Sequence, residues 1–315
     1  MRKRNLYIIL AAICILSIVF IDSFSSKMPT SLDKPSLNSV EKIPGILPSQ
    51  NPIFIFAGFF YSFLFFIGLI NLTIFLIRKI KGYSISWLSY SKKELPLNQE
   101  NAAELIFLVS FLMLFTYFLP NLFLSLSNLS PISIILATNL GLQIGTVFII
   151  FSYIKPRFFD LSLRKKELNF VFKVYTAIIP IIAVSIFINL FLLKALGIEP
   201  GPSPVMKLAP LINTKTSLFL FISQAIVVAP FAEELIFRGV FYKLIRKKYS
   251  FLISACGLSL FFALLHRSPT GVIGLFIISF SLCYIYEKTQ KISTAFAFHA
   301  FHNTITLLFF LGTKI

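Results

Sequence analysis

Three charged residues stand close together inside a long apolar stretch. Glu233, Glu234 and Arg238 lie within 218–245, where most other residues are apolar. A charge at bilayer depth costs about 2.5–3.5 kcal/mol on insertion scales, so three adjacent charges need compensation or a function. The spacing of four between Glu234 and Arg238 predicts an ion pair on one helix face. Glu233 then remains as an unpaired acid beside that pair, an arrangement expected of a general base.

All three histidines of the chain follow this segment, in or at the edge of apolar stretches. His266 ends the run Phe262-Ala-Leu-Leu-His266, whereas His299 and Asn303 are four apart and share a helix face. A carboxylate with an imidazole can polarise a water, and an imidazole with a carboxamide can donate hydrogen bonds to an oxyanion. These residue types therefore predict hydrolysis of an amide. A charge network that only locks helices together is the structural alternative.

Zinc chemistry is a second use of the same histidines. His299 and His302, three residues apart, could bind one ion together with His266. The His-Glu-x-x-His signature of zinc proteases is absent. No cofactor is firmly implied, and a divalent metal such as Zn²⁺ stays open as the minority alternative.

The elements that position these residues are membrane spans. The chain is 57% hydrophobic and 13% charged, whereas soluble domains have about 45–50% and about 25%. A span needs about 20 apolar residues, somewhat fewer at the short end. The sequence therefore predicts an all-α fold, a polytopic transmembrane helix bundle of about nine spans. They are expected at 6–21, 53–77, 105–124, 132–154, 170–193, 218–245, 251–265, 272–286 and 292–311.

The basic residues predict how this bundle is oriented. Most of the 29 lysines and arginines fall in alternate segments between spans, which places the N-terminus inside and the C-terminus outside. The net charge of +17 then reflects orientation and attraction to anionic lipids. The expected partner is the lipid bilayer, not nucleic acid, and the oligomeric state is not indicated. High Phe, Ile, Lys and Asn usage suggests a prokaryotic plasma membrane for this integral membrane protein.

Four regions follow from the pattern of spans. Residues 1–22 form a signal anchor, because no small-x-small cleavage site follows the first apolar run. Residues 23–50, rich in Ser, Pro and Lys, form a flexible external loop. Residues 51–216 form an accessory transmembrane region, and residues 217–312 form the catalytic core.

Isolated polar residues inside the spans are expected to join helices. Asn139, Gln143, Asn189 and Gln224 each need a hydrogen-bond partner inside the bundle. Such contacts contribute roughly 0.6 kcal/mol each, so none of the four is assigned to chemistry.

Glycine and proline positions predict packing and bending. Gly141 and Gly145 form a small-xxx-small pattern that lets two membrane helices approach closely. Pro180 and Pro230 each remove a backbone donor and are expected to bend their helices. A break at Pro230 would free carbonyl groups and open a polar cavity beside the acids.

The order of the three motifs resembles the CPBP family of CAAX proteases and bacteriocin-processing enzymes, also called type II CAAX prenyl endopeptidase-like proteins. The likeness covers roughly 218–311. It implies a glutamate-dependent intramembrane endopeptidase. The matching residues are Glu233, Glu234 and Arg238, then Phe262 and His266, then His299 and Asn303. The implied roles are water activation for Glu233 and His266, support for Glu234 and Arg238, and oxyanion stabilisation for His299 and Asn303.

Two other function classes stay open at this point. A non-catalytic membrane scaffold or bacteriocin-immunity-type protein would bind partners without cutting them. A proton-coupled small-solute transporter could use Glu233 and Glu234 as a relay, although no related halves are found in the sequence. For the endopeptidase, the expected substrate is a membrane-associated protein or peptide. A prenylated CAAX tail is implied only in cells that prenylate.

Overall fold

The computed structural model describes residues 2–25, 51–82, 95–126, 131–199 and 211–314. Within these ranges the chain forms nine long helices and no β-strand longer than an isolated bridge. The helices are α1 (Arg2–Ser25), α2 (Pro52–Ile80), α3 (Gln99–Leu126), α4 (Pro131–Tyr153), α5 (Lys165–Ala195), α6 (Lys215–Arg246), α7 (Phe251–Leu265), α8 (Val272–Thr289) and α9 (Ile292–Lys314).

Each predicted span coincides with one of these helices to within one residue at its ends or lies inside it, so the all-α polytopic bundle is confirmed. Among the described residues, α2, α4, α5, α6, α8 and α9 include stretches long and apolar enough to cross a membrane, and α7 is a shorter apolar helix. The chain is thus an integral, multi-pass membrane protein. Its orientation stays a prediction from the charges. α1 continues to Ser25, and the rest of the predicted external loop, 26–50, lies outside the described residues.

Close approach between helices depends on two glycines that the sequence reading did not select. A Cβ at Gly68 of α2 would overlap the Thr176 carbonyl oxygen of α5 and lie 2.9 Å from Pro180 Cδ. A Cβ at Gly312 of α9 would lie 2.8 Å from the backbone of Phe54 in α2. Both glycines therefore set the distance between α2 and its neighbours.

The predicted small-xxx-small contact in α4 is wrong. A Cβ at Gly141 would have open space around it, and one at Gly145 would make only an ordinary contact, 3.9 Å from Leu112 of α3. The pattern identifies small residues but not the side of the helix that meets a close neighbour.

Gly68→Ala is expected to lower the free energy of unfolding by about 1–3 kcal/mol, because the new methyl group must displace backbone atoms. Gly58→Ala in the same helix is the matched control, since nothing lies within 4 Å of its Cβ position. That change should be neutral or slightly stabilising through helix propensity. Thermal unfolding in detergent measures both variants, and equal effects would contradict the packing described for α2 and α5.

The start of α9 is fixed by a buried group of charges. Lys291 Nζ lies 3.2 Å from Glu167 Oε1 and 3.6 Å from Asp160 Oδ2, and it donates to Ser162 Oγ at 2.8 Å. Burial raises the pKa of Asp160, but hydrogen bonds from Ser162 and the charge of Lys291 outweigh it and hold the pKa below its ordinary value. These contacts tie the connection before α5 to the turn that precedes α9 and so fix the position of α9.

A second polar contact fixes the connection between α7 and α8. Asn189 of α5 donates through Nδ2 to the carbonyl oxygens of Pro269 and Thr270, each at 2.8 Å. The prediction that Asn189 joins helices is therefore confirmed. Its contact lies just beyond His266, the residue that ends α7.

Candidate active site

The ion pair predicted from sequence is formed and fully buried. Arg238 Nη1 donates to Glu234 Oε1 at 3.0 Å, and both side chains have no exposed surface. Arg238 Nη2 also donates to Ser279 of α8, at 3.0 Å to the carbonyl oxygen and 2.7 Å to Oγ. The guanidinium carbon lies 5.2 Å from the ring centroid of Phe262 in α7. Arg238 therefore connects α6, α7 and α8 beneath the acids.

Ser279 is a site residue that the sequence reading missed. It is buried on α8, in a helix where small polar residues recur without a motif around them. Its two hydrogen bonds fix the guanidinium group that pairs with Glu234. The sequence carries no signal for this role beyond the presence of a serine in an apolar helix.

His299 of α9 contacts both glutamates. Its Nδ1 lies 2.8 Å from Glu234 Oε1, the same oxygen that accepts from Arg238. Its Nε2 lies 3.8 Å from Glu233 Oε2. Because Glu234 Oε1 already accepts a charged donor, it acts as the acceptor for His299, so Nδ1 carries the proton in this contact. The imidazole is thereby oriented with Nε2 toward Glu233.

Three polar atoms at this point are buried without a hydrogen-bond partner. They are Glu233 Oε2, Glu234 Oε2 and Arg238 Nε. Leaving such an atom unsatisfied costs about 1–3 kcal/mol, more when it is charged. Glu234 and Arg238 have no exposed surface, so Glu233 is the residue of the three that water or a substrate can reach. Glu233 is the most accessible of the three residues, with 28% of its side chain exposed.

Asn303 is held by a carbonyl that Pro230 leaves free. Residues Gln224–Val228 form a π-helical turn, in which Ala229 N–H donates to Gln224 O, five residues back. The next bond of this kind would join residue 230 to Ala225 O, but proline has no N–H. Asn303 Nδ2 donates to Ala225 O instead, at 2.8 Å. The proline therefore creates the acceptor that positions a predicted site residue.

The effect of Pro230 on α6 differs from the predicted break. The helix continues through residues 229–234, with π-helical turns on both sides, at Gln224–Val228 and Leu235–Tyr242. A π-turn accommodates the missing donor by widening the helix, and such turns are frequent at functional sites. α5 likewise continues through Pro180.

His266 lies at the end of α7 and is connected to the site through Phe262. His266 Nδ1 lies 2.8 Å from the Phe262 carbonyl oxygen, and the Phe262 ring centroid lies 4.4 Å from that of His266 and 6.1 Å from that of His299. The imidazole within 4 Å of Glu233 is that of His299. Joint activation of a water by Glu233 and His266, expected from the resemblance, stays a prediction. His266 reaches the site as a neighbour of Phe262.

The three histidines proposed for a metal do not converge. His302 faces α5, where its Nδ1 lies 3.3 Å from Tyr175 Oη, whereas His299 faces the glutamates of α6. Among the described residues, no group of three or more His, Cys, Asp or Glu side chains is arranged to hold a metal ion. The set of His266, His299 and His302 offered from the sequence as metal ligands is therefore wrong as a shared site.

A family model matches the helices that form this site. Residues 215–305 match a family model described as Type II CAAX prenyl endopeptidase Rce1-like. The resemblance read from the motifs is thereby confirmed. The matched range begins with α6 and ends two residues after Asn303, so it contains all of the motif residues, but it covers less than a third of the chain.

One curated relative is similar to part of the chain. The chain is 32% identical over 98 residues to UPF0177 protein YaiF of Lactococcus lactis subsp. lactis (strain IL1403). The alignment spans 30% of this chain and 43% of that relative, so less than half of the relative is covered. No solved structure matches the chain significantly.

Proposed function

We propose that α6, α7 and α9 form the active site of an intramembrane endopeptidase, which hydrolyses a peptide bond in a membrane-associated protein or peptide. The observation that carries the proposal is the shared oxygen of Glu234, which accepts from both Arg238 and His299 beside the unpartnered oxygen of Glu233. A network that served only to join helices would satisfy its acids. Here Glu234 is paired through one oxygen and has no exposed surface, whereas Glu233 is partly exposed and remains available to a ligand.

Glu233 is the proposed general base. Its free oxygen takes a proton from the attacking water, and the resulting hydroxide adds to the scissile carbonyl carbon. When the C–N bond breaks, the same proton is delivered to the leaving amine. His266 is proposed to assist at the water, because its Nδ1 is held by the Phe262 carbonyl and its Nε2 remains free to accept.

His299 and Asn303 are proposed to stabilise the oxyanion. The His299 imidazole is proposed to donate from Nδ1 to Glu234 and from Nε2 toward the oxyanion as it forms. Asn303 uses one N–H group to bind Ala225 O, and its carboxamide has a second N–H for the oxyanion.

His302→Ala is expected to leave turnover within a few-fold of wild type, since His302 faces Tyr175 and not the glutamates. His299→Ala is the comparison variant and should lower kcat by at least a hundredfold, because it removes the group that contacts both acids. Purified variants are compared after exhaustive dialysis against a strong chelator. A collapse of His302→Ala to the level of His299→Ala, in an enzyme that works only with added Zn²⁺, would instead favour a metalloprotease.

The proposal is tested with purified protein and two peptides that end in a CAAX motif, one prenylated and one not. Mass spectrometry of the products identifies the bond that is cut. Cleavage at one internal peptide bond supports an endopeptidase, and the ratio of the two rates tells whether the prenyl group is recognised. Binding of the peptides without cleavage would support the membrane scaffold instead.

A further inference from the structure

Two carboxamide oxygens on α4 are buried without a partner, outside the motif-bearing helices. They are Asn139 Oδ1 and Gln143 Oε1, one helical turn apart. From the sequence, both residues are expected to join helices through hydrogen bonds, as is Asn189. Asn189 has two hydrogen-bonded partners, whereas these two oxygens have none among the described residues. The explanation that holds for Asn189 therefore fails for Asn139 and Gln143.

The direction of the two side chains follows from how α4 packs. α4 lies between α3 and α6, and Gly145 is on the side of α3, where its Cβ position is 3.9 Å from Leu112. At roughly 100° per residue, Asn139 and Gln143 lie about 120° and about 160° around the helix from Gly145. They are thus on the side opposite α3, which is the side of α6.

The position of the two side chains along α4 follows from the apolar residues that precede and follow them on the same helix face. Ile132 and Leu136 pack in a cluster that contains Phe221 of α6. Ile150 and Ile154 pack in a cluster that contains Leu235. Asn139 and Gln143 fall between these two groups, where α4 approaches residues 229–234 of α6.

The segment of α6 at this level carries Glu233. The apolar packing of α4 is therefore interrupted here by two carboxamides, and the segment of α6 that α4 contacts, residues 229–234, includes Glu233. All three side chains are partly exposed, and each has a buried oxygen without a partner. Buried acceptors without a partner fit a ligand that supplies N–H groups.

We propose that Asn139 and Gln143 form a substrate-binding subsite opposite Glu233, in which their carboxamides bind the backbone of an extended peptide beside the scissile bond. A carboxamide accepts from a peptide N–H and donates to a peptide carbonyl, so it pairs with backbone of any sequence. Main-chain recognition of this kind gives affinity without demanding particular side chains. The inference rests on the proposed endopeptidase function, and it gives the region before residue 215 a part in substrate binding.

The test uses the double variant Asn139→Leu/Gln143→Met, which keeps side-chain size and removes both carboxamides. The matched control is Thr138→Val, because Thr138 lies on the α3 side and its Oγ1 is bonded to Ile134 O. The probe is a fluorescent prenylated peptide ending in a CAAX motif. Four quantities are measured in detergent: KM and kcat for cleavage, the Kd of the probe in a Glu233→Gln background, and the thermal unfolding temperature.

The double variant is expected to raise KM and Kd about tenfold, since each lost hydrogen bond weakens binding a few-fold. Its unfolding temperature should stay the same or rise, because replacing an unsatisfied buried acceptor by an apolar group costs no native contact. Thr138→Val should change neither KM nor Kd. A helix-joining role predicts the reverse pattern, a lower unfolding temperature with unchanged KM.

The possible results test the proposed subsite and the proposed endopeptidase function separately. Cleavage by wild type with an unchanged KM in the double variant overturns the subsite and leaves the endopeptidase. Probe binding that depends on Asn139 and Gln143, without cleavage by wild type, overturns the endopeptidase and leaves a peptide-binding subsite. Absence of both cleavage and binding overturns both.

Discussion

Glu233→Gln is expected to lower kcat by about three orders of magnitude, within the range that a general base contributes. The folded protein should be little affected, because Glu233 is 28% exposed and its contact with His299 Nε2, at 3.8 Å, is longer than a hydrogen bond. We expect the free energy of unfolding to change by less than about 1 kcal/mol. Steady-state cleavage of the CAAX probe and thermal unfolding in detergent measure the two effects on the same preparation.

The matched control for Glu233→Gln is Glu287→Gln. Glu287 is also a part-buried acid, but it accepts from Tyr242 and Arg246 at a distance from the motif residues. Its loss should lower stability and leave kcat within a few-fold of wild type. Retention of activity by Glu233→Gln would show that water is activated by another group.

Glu234→Gln should lower both activity and stability. The substitution removes the charge that balances Arg238 and weakens the contact that orients His299. Breaking a fully buried pair by removing one partner costs about 3–5 kcal/mol, since the remaining ion stays buried. We therefore expect a clear loss of folded yield, together with a fall in kcat of the correctly folded fraction.

The comparison of the two glutamate variants is decisive for the division of their roles. Cleavage rates are normalised to the folded fraction, determined by gel filtration of the detergent-solubilised protein. Equal effects of Glu233→Gln and Glu234→Gln on yield and on normalised activity would contradict the separation into a base and a supporting acid.

The positions of the helices and the central ion pair could be predicted from the sequence because both depend on short-range rules. A helix that crosses a membrane must satisfy its own backbone, so an apolar run of sufficient length is enough to locate it. The pairing of Glu234 with Arg238 follows from a spacing of four on one helix. The structure confirms both, with the pair at 3.0 Å.

The detailed assembly of the site depends on contacts between helices, which spacing along one helix does not report. The sequence places His299 four residues from Asn303, but it does not say that His299 meets both glutamates while Asn303 meets Ala225 O. The π-helical turns that produce this arrangement also follow from a missing donor combined with packing. A break and a widening of the helix were equally compatible with Pro230.

Polar residues inside the spans also have roles that the sequence of one helix does not reveal. Asn189, Asn139 and Gln143 have similar apolar surroundings in the sequence, yet only Asn189 donates to a neighbouring connection. The carboxamide oxygens of the other two are buried without a hydrogen-bond partner among the described residues. The distinction depends on which neighbour each helix face meets.

Cleavage of membrane-associated proteins with Glu233 as the base can be measured in cells that express either wild type or Glu233→Gln at equal abundance. New amino and carboxyl termini of membrane-associated proteins and peptides are labelled and identified by mass spectrometry. We expect at least one cleavage product that is present with wild type and missing with Glu233→Gln. Identical sets of termini in the two samples would contradict it.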